Sequence, residues 1–71
     1  MIPKQQFINK LRKIGYTYKT TLKRVDLYRR GTHFIPVRRN DNLSEEFCVS
    51  SLRQALCTEE EIRDFIKDAR A

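Results

Sequence analysis

Apolar residues recur at Phe7, Ile8, Leu11 and Ile14, with Lys4, Lys10, Arg12 and Lys13 off that stripe. This spacing predicts an amphipathic helix over residues 4–14. Pro3 suits its first turn, and Gly15 suits the left-handed residue that ends it. The cationic last turn complements the helix dipole. The helical period is then lost. Tyr16-Thr17-Tyr18-Lys19-Thr20-Thr21 is rich in strand formers, whereas Leu22 and Val25 would also suit a short helix. Residues 16–25 therefore read as strand or extended loop, with the helix left open. Asp26–Arg30 reads as a strand, Gly31-Thr32 as a turn or bulge, and His33–Arg39 as a second strand. Pro36 cannot donate to a ladder, which places that strand at an edge or breaks it there. Asn40-Asp41-Asn42 is a turn. A third short strand, Glu46 to Val49, completes an antiparallel meander.

Two helices follow. Ser50 or Ser51 caps one that runs through Leu52, Ala55 and Leu56. Thr58-Glu59-Glu60-Glu61 is a capping box, with Thr58 at the N-cap and Glu61 three residues on. Ile62, Phe65, Ile66 and Ala69 form the buried stripe of the last helix. The order predicts an α+β domain: a small three-stranded antiparallel sheet with helices on one face, and an extra short helix at the C-terminus. With 71 residues, the chain has room for one such domain.

Charge changes the picture more than length does. Residues 1–40 hold eleven Lys or Arg and one acid, Asp26, whereas residues 41–71 hold four basic and eight acidic side chains. A field this lopsided attracts polyanions, because each neutralised phosphate releases condensed counterions. An anionic membrane would also be attracted. No stretch approaches the roughly 20 apolar residues that span a bilayer, and the N-terminus has no apolar signal core. Cys48 and Cys57 show neither CxxC spacing nor a neighbouring histidine, so no metal site is expected, nor any cofactor. The reading is a cytoplasmic protein with reduced, structural thiols and no membrane partner.

Candidate chemistry concentrates in Tyr28-Arg29-Arg30-Gly31-Thr32-His33, which holds the only histidine of the chain. Cleavage of RNA through its own 2′-hydroxyl needs a base, and an imidazole titrating near neutrality can serve. Guanidinium groups can hold the scissile phosphate. Strict alternation, however, puts His33 on the strand face of Ile35 and Val37, where it would be partly buried structure. Tyr16, Tyr18, Tyr28 and Phe34 could stack on unpaired bases, although so small a domain needs most of its aromatics for the core. Glu59, Glu60 and Glu61 read as capping and dipole complementation.

The Gly31-Thr32-His33 tripeptide after a basic strand resembles the Gly-Ser-His motif of the HicA family of mRNA interferase toxins. The helix ending in Lys13-Ile14-Gly15-Tyr16 looks like that family's opening helix. The segment from Leu52 to Ile62 is similar to its closing pattern, a Leu-Arg helix followed by an acid-capped one. The resemblance implies a double-stranded-RNA-binding-like α-β-β-β-α fold, metal-independent mRNA cleavage and a HicB-like antitoxin partner. It implies His33 as the catalytic base, positioned by Gly31 and Thr32. The chain departs from the family in a Gly15–Gly31 interval about eight residues longer, in Thr32 for serine, and in Ile35-Pro36-Val37-Arg38 where many members carry a Val-Pro-Val-His-like strand. Taken together, an RNA-binding domain is expected, with mRNA or a structured RNA as partner. Arg29, Arg30, Arg38, Arg39, Lys19, Lys23 and Arg24 are then the phosphate contacts. A non-catalytic RNA-binding relative, and a basic adaptor that docks on an acidic protein, are the alternatives.

Overall fold

In a computed structural model that describes residues 1–70, the chain runs β1 (Ile2–Pro3), α1 (Lys4–Lys13), β2 (Thr17–Leu22), β3 (Val25–Arg30), β4 (His33–Arg38), β5 (Asn42–Leu43), α2 (Glu45–Gln54) and α3 (Glu59–Arg70). The sheet is an antiparallel meander in the order β2-β3-β4. The fold is thus α+β, with three helices against one face of a three-stranded sheet.

Local chemistry explains the boundaries. In α1, Phe7, Ile8 and Leu11 are buried, as their spacing requires. The helix ends in a Schellman motif: the Gly15 amide donates to the Arg12 carbonyl at 3.1 Å, and the Tyr16 amide to the Leu11 carbonyl at 2.9 Å. Gly15 sits at φ +100°, where a side chain is strained. The β3–β4 connection places Gly31 at φ +60° in the first of its two turn positions, as a II′ hairpin turn demands. Pro36 faces no ladder partner it would fail, because β4 is an edge strand. The capping box at α3 forms in both directions, Glu61 amide to Thr58 hydroxyl at 3.1 Å and Thr58 amide to Glu61 carboxylate at 2.9 Å.

Residues 16–25 form β2 and its hairpin turn, the strand of the two alternatives, so the meander is complete before residue 40. Three expectations need correction. Glu46 to Val49 are not a strand but lie in the first half of α2. Its cap is Ser44, whose hydroxyl accepts from the Phe47 amide at 3.1 Å, rather than Ser50 or Ser51. Cys48, Ser51, Leu52 and Ala55 are buried at helical spacing, which outweighs the strand preference of Phe47 and Val49. The closing helix is not short, since α3, at 12 residues, is longer than α2. Finally, Ile2 pairs with Leu43 and Pro3 with Asn42, a two-residue ladder that no periodicity announces.

The core joins α1, α2 and α3 to one sheet face through Phe7, Leu11, Tyr28, Ile35, Val37, Leu52 and Ile62. Arg53 and Glu59 form a two-pronged ion pair at 2.9 and 2.8 Å that straps α2 to the start of α3. No helix among the described residues is long and apolar enough to cross a membrane.

Candidate nucleic-acid interface

Alternation along β3 sends Arg29 and Arg30 to opposite faces of the sheet. Arg30, His33's cross-strand partner, lies on the helix side. Its two terminal nitrogens donate to the Ile14 carbonyl at 2.7 Å and the Ala55 carbonyl at 2.9 Å, and its guanidinium lies over the Tyr16 ring at 4.6 Å. A Cβ on Gly15 would stand 3.2 Å from the Arg30 Cδ, so the glycine serves this close approach as well as its backbone angle. Arg30 therefore ties β3 to the ends of α1 and α2. It was expected to hold phosphate; two of its five N–H donors are turned inward to these carbonyls.

His33 is half-buried beside this clamp. Its Nδ1 is 2.6 Å from the Tyr16 hydroxyl, and the two rings meet edge-on with centroids 5.8 Å apart. Tyr16 is fully buried, so the phenol fixes the imidazole from the core side. Among the described residues Nε2 has no partner. Gly31 and Thr32 are exposed at the turn, and a Cβ on Gly31 would meet nothing within 4 Å.

Among the described residues, no element covers the opposite face of the sheet. Three cross-strand rows define it: Thr17, Arg29 and Phe34; then Thr20, Leu27 and Pro36; then Leu22, Val25 and Arg38. Leu22 is 58% exposed and Phe34 44%, and Arg29, Pro36 and Arg38 are exposed with them. None of these nine residues is acidic. Lys19 is the extra residue of a β-bulge between Tyr18 and Thr20. Lys23 and Arg24 form the β2–β3 turn at φ +49° and +66°, the I′ pattern that Asn-Gly normally fills. Asp26, the only acid of the three strands, is on the helix side, where it accepts from the Thr21 hydroxyl at 2.6 Å and meets Arg39 at 3.6 Å.

Five of the expected contacts, Lys19, Lys23, Arg24, Arg29 and Arg38, are thus exposed and carry no ion pair among the described residues. Arg39 is exposed but partnered, and Arg30 is half-buried and bonded to the two carbonyls. Of the aromatics, Tyr16 and Tyr28 are core, which leaves Tyr18 and Phe34 at the surface. The cations of α1 are offset locally: Lys10, Arg12 and Lys13 share a groove with Glu61, Asp64 and Asp68 of α3. Together the three helices hold eight basic and seven acidic residues, whereas residues 17–39 hold seven basic and one acidic. The sheet layer carries nearly all of the net charge.

The thiols belong to the fold. Cys48 is buried, and burial pushes its thiol up to about 12, with Glu45 adding in the same direction. Burial also raises the Cys57 thiol, with Glu61 the next cause. No group of three metal-ligating side chains occurs among the described residues. In the unfolded chain a thiol ionises near pH 8.5. Above that pH the unfolded state sheds a proton that native Cys48 keeps until about 12, so stability falls as pH rises through this window. The expected slope for that proton is up to about 1.4 kcal/mol per pH unit. Urea titrations between pH 8 and pH 10 measure it, and Cys48→Ala should flatten the slope by that amount. Equal slopes in the two proteins would remove Cys48 as the cause.

Comparisons of the chain with protein-family models, with curated proteins and with solved structures find no match.

Proposed function

We propose that the protein is a cytoplasmic RNA-binding module that holds messenger or structured RNA against the open sheet face and the β2–β3 turn. The observation that carries this reading is the carboxylate-free face, where Arg29 and Arg38 stand exposed beside an apolar centre, together with the unpaired Lys19 of the bulge and Lys23 and Arg24 of the turn. Solvated cations without acids nearby are poised to exchange their counterions for phosphates. For single-stranded RNA, five contacts at about −0.7 each give a log–log salt slope of about −3.5.

A second reading is metal-independent cleavage by His33, in the manner of a HicA toxin held by a HicB-like antitoxin. Its support is the 2.6 Å contact that fixes Nδ1 on Tyr16 and leaves Nε2 without a partner. Cleavage also needs a cation on the scissile phosphate next to the base. Arg29 is on the far face of the sheet, and Arg30 is engaged with two carbonyls. Binding without cleavage is therefore the preferred reading.

The test is a labelled mRNA incubated with the protein in EDTA, run in parallel as a gel shift and a cleavage assay, beside His33→Ala. A shift with intact RNA in both proteins is the expected result. Fragments from the wild type alone would replace it with the toxin reading. No shift at low salt would leave the acidic-protein adaptor in its place.

A further inference from the structure

We propose that the open face selects unpaired RNA, stacking one base on Phe34 while Arg29 and Arg38 hold the neighbouring phosphates; this rests on the RNA-binding reading and specifies its substrate.

Phe34 is 44% exposed although its neighbours in sequence, His33 and Ile35, turn toward the helices. Its ring makes no aromatic contact among the described residues, unlike Phe7, which meets both Phe47 and Phe65 edge-on. Apolar surface left in water brings the fold nothing, so the ring is open to an external partner. Tyr18, the other exposed aromatic, is already engaged: its hydroxyl bonds Thr21 at 2.7 Å and its ring meets Tyr28 at 6.0 Å. Phe34 is thus the surface aromatic with a free face.

Its surroundings fix the chemistry of the occupant. Arg29 is its cross-strand partner, and such pairs stand about 5 Å apart at Cβ. Arg38 lies four residues further along the same strand, ~13 Å at about 3.3 Å per residue. Ring and cations therefore line one track, with Pro36 and Leu27 between them. A duplex offers this flat face only phosphates and buried base edges, and gives the ring nothing to stack on. An unpaired strand offers both a phosphate and the π-face of a base within the same reach. The absence of any acid in these rows argues against a basic protein partner, and the ring and its apolar neighbours argue against phosphate contact alone.

The experiment compares one mixed-sequence 12-nucleotide RNA, alone and annealed to its complement, against wild type, Phe34→Ala, Phe34→Leu and Phe34→Tyr at fixed salt. The wild type should bind the single strand at least tenfold more tightly than the duplex. Phe34→Ala and Phe34→Leu should each lose roughly ten- to hundredfold on the single strand. Neither should change duplex affinity, and Phe34→Tyr should bind like wild type. Circular dichroism confirms that the variants fold. Equal affinity of wild type and Phe34→Ala for the single strand, or a preference for duplex, would overturn the stacking proposal while leaving RNA binding intact. Failure of both RNAs to bind at low salt would overturn both proposals.

Discussion

Arg30→Ala is expected to destabilise the protein by about 3–4 kcal/mol, and to do so without reference to RNA. The guanidinium makes two charge-assisted hydrogen bonds to carbonyls at 2.7 and 2.9 Å, each worth about 1.5 kcal/mol or more, and its stacking on Tyr16 adds about 0.5–1 kcal/mol. Removing it frees the last carbonyls of α1 and α2 at once. A chain of this length has only about 4–10 kcal/mol of total stability. At roughly 4–8 °C per kcal/mol for a domain of this size, Tm should fall by about 12–32 °C. Arg30→Lys should recover less than half, because an ammonium cannot span two carbonyls on different helices. Gly15→Ala reaches the same clamp from the other side, through φ +100° and a 3.2 Å approach to the Arg30 Cδ. In an Arg30→Ala background only the backbone part of that cost should remain, and a double-mutant cycle reads the difference. A loss below 1 kcal/mol for Arg30→Ala would show that the clamp is incidental to stability.

The opposite sign is expected at the β2–β3 turn. Lys23 and Arg24 both occupy left-handed backbone, at a cost of about 1–2 kcal/mol per residue for a side chain with a Cβ. Replacing them with Asn and Gly supplies the sequence an I′ turn prefers. Allowing for the chain entropy that glycine adds, Lys23→Asn with Arg24→Gly should raise stability by about 2 kcal/mol, or Tm by about 10 °C. The same variant should weaken RNA binding and reduce the salt slope by about 1.4, two contacts at about 0.7 each. A strained backbone that improves when its cations are removed is what a binding element retained against the fold's own preference looks like. Stabilisation with RNA affinity unchanged would place the turn outside the interface. No stabilisation would mean that the turn is not strained.

These two side-chain pairs also show how far the sequence could be read. The α+β order, α1 and the Thr58–Glu61 box followed from local spacing, which operates within a few residues. The start of α2 was hidden because Phe47 and Val49 favour strands, although Ser44-Glu45-Glu46 supplies a cap and an acidic first turn, and Cys48, Leu52 and Ala55 supply the stripe. Arg29 and Arg30 are adjacent and chemically identical. Alternation says that they part, but only the tertiary positions of the Ile14 and Ala55 carbonyls decide which one turns inward. The same holds for the tyrosines. Tyr16 and Tyr28 enter the core, and Tyr18 stays 54% exposed, because β2 lies at the rim of the helical layer. The Ile2–Leu43 ladder joins residues 41 positions apart, beyond the reach of any local pattern.

The division of charge between layers has a kinetic consequence. With the helical layer near balance and the cations gathered in the sheet, the molecule is an electric dipole whose positive pole is its open face. In the field of a polyanion it experiences a torque before it makes any contact, and arrives with that face leading. Productive encounters then rise above the fraction that random orientation would give, and they do so most at low ionic strength, where the Debye length exceeds the 17 Å thickness of the molecule.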